Sequence, residues 1–251
     1  MARCLQRHAR YTLNIKGVPY KTVWVEYPDV EALCKKIGAP PTGTRIDGSS
    51  LYTLPTIYDP NTEQAISDSA AIARYLDKTY PSKGPILIPP ETDALQAAFQ
   101  AAFLSATFIT ATFVKGPFGP IILPPTCAVL NPRSDEYFRR ERGDVFGPLD
   151  ELAPFGSEKR AKHWRDLRKV YSMFAGWLGT DMDGKERLFF MGGEGICYAD
   201  VTLAGFFKSM QKVLPAEEWD DLTTWDGGRW ARFMEKFQPY EAVDSGSVLE
   251  L

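Results

Sequence analysis

Residues 51–76 read LYTLPTIYDPNTEQAISDSAAIARYL. Two short β-patterned runs flank the turn DPNT, and a helical pattern follows from about Ser67 to Tyr80, where Pro81 stops it. Pro55 stands inside the first run. Proline gives no donor to a β ladder, so it is tolerated at an edge, at a bulge, or as a cis peptide in a tight turn. With a cis Leu54-Pro55 bond, the N–H and C=O of Leu54 face outward, where an extended peptide can pair as an added strand. Further on, Ser67, Asp68 and Ser69 open a helix, whose amides and dipole favour an anionic group. The Ser69 hydroxyl and amide suit a carboxylate, and Asp68 offers a partner to an ammonium. The expected ligand is a short extended peptide with one zwitterionic end.

The chain around this stretch reads as two units. Residues 2–16 form a helical pattern ended by Gly17; residues 20–26 are β-branched and aromatic enough for a strand; Asp29 is placed to cap a short helix that Gly38 ends. APPTGTRIDGSS reads as a turn-rich loop, and PSKGPILIPPETD as a proline-rich linker. Beyond the linker the signals are helical, with Trp164, Leu167, Tyr171, Phe174 and Leu178 recurring at steps of three and four. The expected organisation is an α/β domain over residues 1–81, a linker over 82–93, an all-helical domain over 94–240, and a loosely packed tail over 241–251.

The 251 residues suffice for a large core, and 44% hydrophobic with 24% charged residues is a globular composition. A net charge of −3 gives no electrostatic case for nucleic acid or an anionic membrane as partner. Residues 94–114 carry no charge and are long enough to span a bilayer at about 31 Å, but their glutamines, serine and threonines suit burial in protein. Cys4, Cys34, Cys127 and Cys197 form neither a CxxC pair nor a metal-like cluster with His8 or His163. They read as reduced thiols of a cytoplasmic protein that holds no metal.

LPTI followed by SDSAAIARYLDKTYP resembles the glutathione-site half of glutathione transferases, which join a thioredoxin-like first domain to an all-helical second. Within that family KGVPYKTVWVEYPDVEALCKKIGA, NPRSDEYFRRERGDVFG and CYADVTLAGFF look like the fungus-specific A class, related to bacterial β-etherases. The resemblance implies glutathione as cosubstrate, with Leu54 on its cysteinyl backbone, Pro55 as the cis-proline, Asp68 and Ser69 on its γ-glutamyl end, and Thr53 beside them. Arg45, Lys35 and Lys36 are candidates for the glycyl carboxylate. It implies a homodimer, an apolar pocket between the domains with Phe103, Phe108, Phe113 and Phe118 as candidate walls, and a folding role for Asp200 in a capping box whose other member here is Cys197. The Arg139, Arg140 and Arg142 stretch reads as a solvated helix face.

In this family a hydroxyl or thiol after the first strand stabilises the glutathione thiolate. HARYTLNIKGVPY looks like the family's first helix, so that strand and loop are expected upstream of Met1, or else residues 2–8 substitute for them. Cys4 is the weak catalytic candidate; Arg3, Arg7, His8 and a helix N-terminus are expected to lower its pKa. Tyr11 is expected to pack. The implied activity is detoxifying conjugation or thiolysis of hydrophobic aromatic or ether electrophiles, with peroxide reduction as a further capacity. The alternatives left open are a non-catalytic binding protein for hydrophobic aromatic metabolites and a scaffold of the same fold.

Overall fold

The computed structural model describes residues 7–45, 47–108, 116–244 and 246–248. In chain order it runs α1 (Arg7–Lys16), β1 (Val23–Trp24), α2 (Val30–Lys36), β2 (Gly43–Thr44), β3 (Ser50–Leu51), β4 (Thr56–Asp59), β5 (Gln64–Ser67) and α3 (Ser69–Thr79). The helical part follows: α4 (Asp93–Phe108), α5 (Phe118–Ala128), α6 (Pro132–Phe146), α7 (Glu158–Leu178), α8 (Tyr198–Val213) and α9 (Ala216–Glu235), then β6 (Ser247–Val248). A small sheet-and-helix domain is thus followed by an all-helical one. No described helix is long and apolar enough to cross a membrane.

The larger core lies among the helices. Leu167, Tyr171, Phe174 and Leu178 form the buried face of α7, in one core with Val201, Ala204 and Phe207 of α8, and the Tyr171 and Phe207 rings stand 4.7 Å apart. The first domain joins this core through α1, which packs on α8. The His8 ring presses so closely on α8 that a Cβ at Gly205 would stand 2.4 Å from it, so only glycine fits there. At its other end α1 carries the buried Lys16, whose Nζ donates to Asp77 Oδ1 of α3 at 2.8 Å and to the Pro85 carbonyl at 3.1 Å. Asp77 in turn accepts the amides of Leu87 and Ile88. A buried ion pair lasts only when its remaining hydrogen-bonding capacity is filled. Here the linker fills it, fixing α1, α3 and the start of the helical domain together.

Asp200 is wholly buried at the start of α8, accepting the Cys197 amide at 2.8 Å and the Phe190 amide at 3.0 Å. Removal from water pushes its pKa up to about 7 against the pull of those two donors. The folded protein therefore holds a proton there that the unfolded chain releases near pH 4, and this contribution to stability fades as pH rises through 7.

Several expectations need correction. The ladder part of residues 20–26 is only Val23–Trp24, and APPTGTRIDGSS contains a hairpin, with Gly43 opposite Leu51 and Thr44 opposite Ser50. Asp29 does not cap α2 with its side chain: its carboxylate receives Arg133 Nη2 from α6 at 2.7 Å. α9 breaks at residues 225–228, where the backbone leaves helical angles. The described part of the tail, residues 241–244 and 246–248, is not loosely packed. Asn14 Nδ2 donates to the carbonyls of Tyr240 and Ala242, Lys208 Nζ reaches Glu241, the Thr22 amide donates to Asp244 at 2.9 Å, and β6 pairs parallel to β1. Polar and backbone bonds hold this segment, so hydrophobic periodicity does not register it.

Two outcomes are expected. Deleting residues 241–251 lowers the melting temperature by about 5–10 °C, because several partly buried hydrogen bonds are lost together, and amide exchange at Val23 and Trp24 speeds up. Between pH 5 and 8 the melting temperature of the parent chain falls more steeply than that of Asp200→Asn, as read by scanning calorimetry in matched buffers.

Candidate functional site

The β4–β5 hairpin pairs Thr56 with Ser67, and this register sets Pro55 beside Asp68. The Asp68 amide donates to the Pro55 carbonyl, and the Thr56 and Ser67 hydroxyls meet at 2.9 Å. The Leu54-Pro55 peptide is cis. Neither the N–H nor the C=O of Leu54 makes a hydrogen bond among the described residues, so a strand-like pairing edge and the N-terminus of α3 lie side by side.

Asp68 adopts a left-handed backbone (φ 78°), uncommon for a residue with a side chain. Its Oδ1 accepts the Ala70 amide at 3.0 Å and the Ala71 amide at 2.9 Å, capping α3. Oδ2 makes no hydrogen bond among the described residues. The one carboxylate thus has a side committed to the fold and a side turned elsewhere. Ser69 is the first residue of α3, and its amide is one of those that a helix leaves without an internal partner.

On the other side of Leu54 is a cavity of about 120 Å³, roughly the room one aromatic ring takes. Tyr27, Tyr52, Leu54, Tyr137 and Phe138 line it, with Arg142 on the same wall. Its roof belongs to α6, which is fastened to the chain just before α2. The Glu26 carboxylate accepts Asn131 Nδ2 at 2.5 Å and the Ser134 hydroxyl, and the Tyr27 amide donates to Ser134 Oγ at 3.1 Å. Burial opposes ionisation of Glu26, yet the Ser134 and Asn131 donors prevail and hold its pKa below the usual range.

Beside the cavity, Lys35 donates to Glu31 Oε1 at 2.7 Å and lies over the Tyr52 ring, while Arg45 donates to Glu31 Oε2 at 3.0 Å and to the Ser50 carbonyl. Two cations therefore share one carboxylate and leave a positive excess next to Tyr52. Thr53 Oγ1 is engaged with Thr42 Oγ1 at 2.8 Å, and Lys36 lies exposed at the end of α2.

Other expected residues fall elsewhere. Phe118 is 1% exposed and meets Phe206 edge-on, while Phe103 is fully buried against Phe174, so both rings are core rather than cavity wall. Phe108 ends α4; its side chain, together with Phe113 and Cys4, lies outside the described residues. His8 is half-buried, donates from Nε2 to the Thr202 carbonyl at 3.1 Å, and has its pKa lowered to about 4 by removal of its ring from water. It is neutral at pH 7 and supplies no positive charge to a neighbouring thiol, contrary to expectation. Tyr11 packs, its hydroxyl donating to Glu241 at 3.3 Å. Arg139 pairs with Asp135 and Asp150, and Arg142, itself exposed, leans over the Phe138 ring at the cavity. The thiols of Cys34, Cys127 and Cys197 are buried and shifted upward by that burial, so none is a ready thiolate. Among the described residues no cluster of potential ligands forms a metal site.

A two-domain chain with a cis-proline edge and an acid-capped helix start beside a cavity has the architecture of glutathione transferases. Family profiles agree: the glutathione S-transferase N-terminal domain matches residues 7–79 and the C-terminal domain matches residues 94–240. The chain belongs to the glutathione S-transferase family. It is 51% identical to the glutathione S-transferase CsGST63524 of Ceriporiopsis subvermispora, solved in complex with glutathione, with a TM-score of 0.87 over 95% of this chain and 91% of that one. Glutathione transferase GSTFuA3 from Phanerochaete chrysosporium is 39% identical, with a TM-score of 0.84 over 94% and 90% of the two chains. The glutathione S-transferase-like protein ustS of Aspergillus flavus is 30% identical over 88% of this chain and 78% of its own length.

The cap role of Asp68 is separable from its charge. Asp68→Asn keeps an acceptor at the cap and is expected to melt within about 2 °C of the parent, whereas Asp68→Ala loses about 1–2 kcal/mol in chemical unfolding.

Proposed function

We propose that this chain is a glutathione transferase that joins glutathione to small hydrophobic electrophiles carrying an aromatic ring, through thiolate attack at the cavity beside Leu54. The observation that carries the reading is the juxtaposition made by the β4–β5 hairpin: a backbone edge without partners, an acid with one side uncommitted, and a helix N-terminus. Glutathione has complementary groups in the same order. Its cysteinyl N–H and C=O pair with Leu54, its γ-glutamyl ammonium faces Asp68 Oδ2, and its γ-glutamyl carboxylate takes the Ser69 amide and hydroxyl. The glycyl carboxylate lies toward the positive excess of Lys35 and Arg45, with Thr53 beside the peptide.

In this pose the sulfur points to the aromatic cavity. A free thiol with a pKa of about 8.5 is mostly protonated at neutral pH, and the thiolate is the nucleophile. The proton leaves to solvent, the sulfur forms a bond to the electrophilic carbon, and the leaving group departs with the electrons of the broken bond. Tyr27, Tyr52, Tyr137 and Phe138 exclude water and orient the ring; Arg142 faces its polar substituents. The same geometry serves thiolysis of an aryl ether and attack on a peroxide. The reading places the enzyme in the cytoplasm as a homodimer.

The test is calorimetric titration with glutathione, with mass-spectrometric detection of the conjugate formed from an activated aryl halide. Ser69→Ala is expected to weaken glutathione at least about tenfold, since a hydrogen bond to a charged group is worth about 1.5–3 kcal/mol. Unchanged affinity and turnover in that variant would sink the site assignment. Saturable binding of aromatic ligands with no conjugate would favour the non-catalytic reading.

A further inference from the structure

Helix α6 carries four arginines, and three of them stand against carboxylates. Arg133 donates to Asp29 at 2.7 Å, Arg139 to Asp135 at 2.9 Å and to Asp150 at 2.8 Å, and Arg140 lies 3.6 Å from Glu141. Arg142 makes neither a hydrogen bond nor an ion pair among the described residues. Of the four, it is the one that lines the cavity beside Leu54. An exposed arginine without a carboxylate is ordinary, but this one is not free to wander. Its guanidinium rests over the Phe138 ring, 5.6 Å from the ring centre, and Phe138 is fixed in the helical core at 3% exposure. A cation resting on an aromatic face has given up part of its side-chain freedom before any ligand arrives, so an anion meets a partner already in place.

The charges around the cavity leave the same sign uncovered. Glu141 and Arg142 both line it, and Arg140 stands against Glu141, so two cations face one carboxylate on this wall. Beside the cavity Lys35 and Arg45 share Glu31, which leaves a second positive excess. In the proposed pose the glycyl carboxylate of glutathione takes up that second excess. The charge of Arg142 stays uncovered, in a cavity whose other walls are largely tyrosine, phenylalanine and leucine side chains.

We propose that the cavity selects aromatic electrophiles that carry a carboxylate, with Arg142 as the specificity-determining residue. The inference rests on the glutathione reading given above and narrows the second substrate from any aromatic ring to an acidic one. The planar guanidinium offers paired donors that match a carboxylate, and an uncovered cation in a cleft with apolar walls favours anions over neutral ligands. Position matters as much as sign. The glutathione sulfur comes from the Leu54 side and is negative when it reacts, so a carboxylate next to the reacting carbon would be repelled. Arg142 belongs to the α6 roof and draws the carboxylate to the end of the ring remote from the sulfur. The thiolate then bonds to the carbon at the near end, and the leaving group departs with the electron pair of the broken bond.

The experiment uses the full chain and two activated aryl chlorides that differ in one group, a chloronitrobenzoate and its uncharged carboxamide, each with that group para to chlorine. Each kcat/KM is divided by the uncatalysed rate with glutathione, which removes the difference in intrinsic reactivity. The parent is expected to favour the benzoate about fivefold at low salt, the upper range for an exposed ion pair, and less at high salt as the charges are screened. In Arg142→Gln the preference is expected to vanish, and in Arg142→Lys to persist in part. Arg165→Gln, at an exposed arginine of α7 that does not line the cavity, is expected to keep the parent preference. A merely structural Arg142 would lower both substrates alike and leave the ratio unchanged. The two conjugates are also made chemically and titrated by calorimetry, so a chain without turnover still yields the comparison. If the parent binds glutathione but shows no preference for the acid, or if the preference survives Arg142→Gln, this inference falls and the site reading stands. A parent that binds neither glutathione nor either conjugate overturns both.

Discussion

The bond from the Asp68 amide to the Pro55 carbonyl joins the two halves of the site. It closes the β4–β5 hairpin at the one place where the chain enters α3, and it holds there because Thr56 and Ser67 are already in register. The proposed ligand contacts are all measured from it. Leu54 is turned outward by the bond that follows it, Asp68 is held in a left-handed backbone by its own cap, and Ser69 begins the helix. A slip of one residue would send each of these side chains to the opposite face.

The helical domain supplies what this hairpin lacks. The buried Lys16–Asp77 pair, filled by linker amides, orients α3 relative to the α4–α9 helices. The packing of His8 on the bare backbone at Gly205 sets how closely α1 and α8 approach. Between them these contacts fix α1 and α3 against the linker and α8.

The local parts of the site were legible in the sequence, because a proline in a strand and an Asp-Ser at a helix start have few physical uses. The α7 stripe and the position of α3 were legible for a similar reason: apolar periodicity and a stopping proline act over a few residues. What depends on long-range partners was not. Phe118 and Phe103 look like pocket walls in a list of phenylalanines, and only packing against Phe206 and Phe174 assigns them to the core. Asp29 has the spacing of a cap but is claimed by Arg133, more than a hundred residues away. The tail is held by Asn14, Thr22 and Lys208 through polar bonds with no periodic signature.

The α6 roof differs in kind from the floor beneath it. Leu54, Asp68 and Ser69 are held by backbone register and helix capping, which few substitutions survive. The roof is fastened mainly through side chains, with Glu26 gripping Asn131 and Ser134, Asp29 gripping Arg133, and the Tyr27 amide donating to Ser134 Oγ. Beyond those anchors Tyr137 and Arg142 face the cavity without belonging to the hairpin, whereas Phe138 is 3% exposed and is part of the helical core. The cavity thus has a floor set by backbone register and helix capping and a roof set by the side chains of one helix, so changes to Tyr137 or Arg142 reshape the cavity while the hairpin stays where it is.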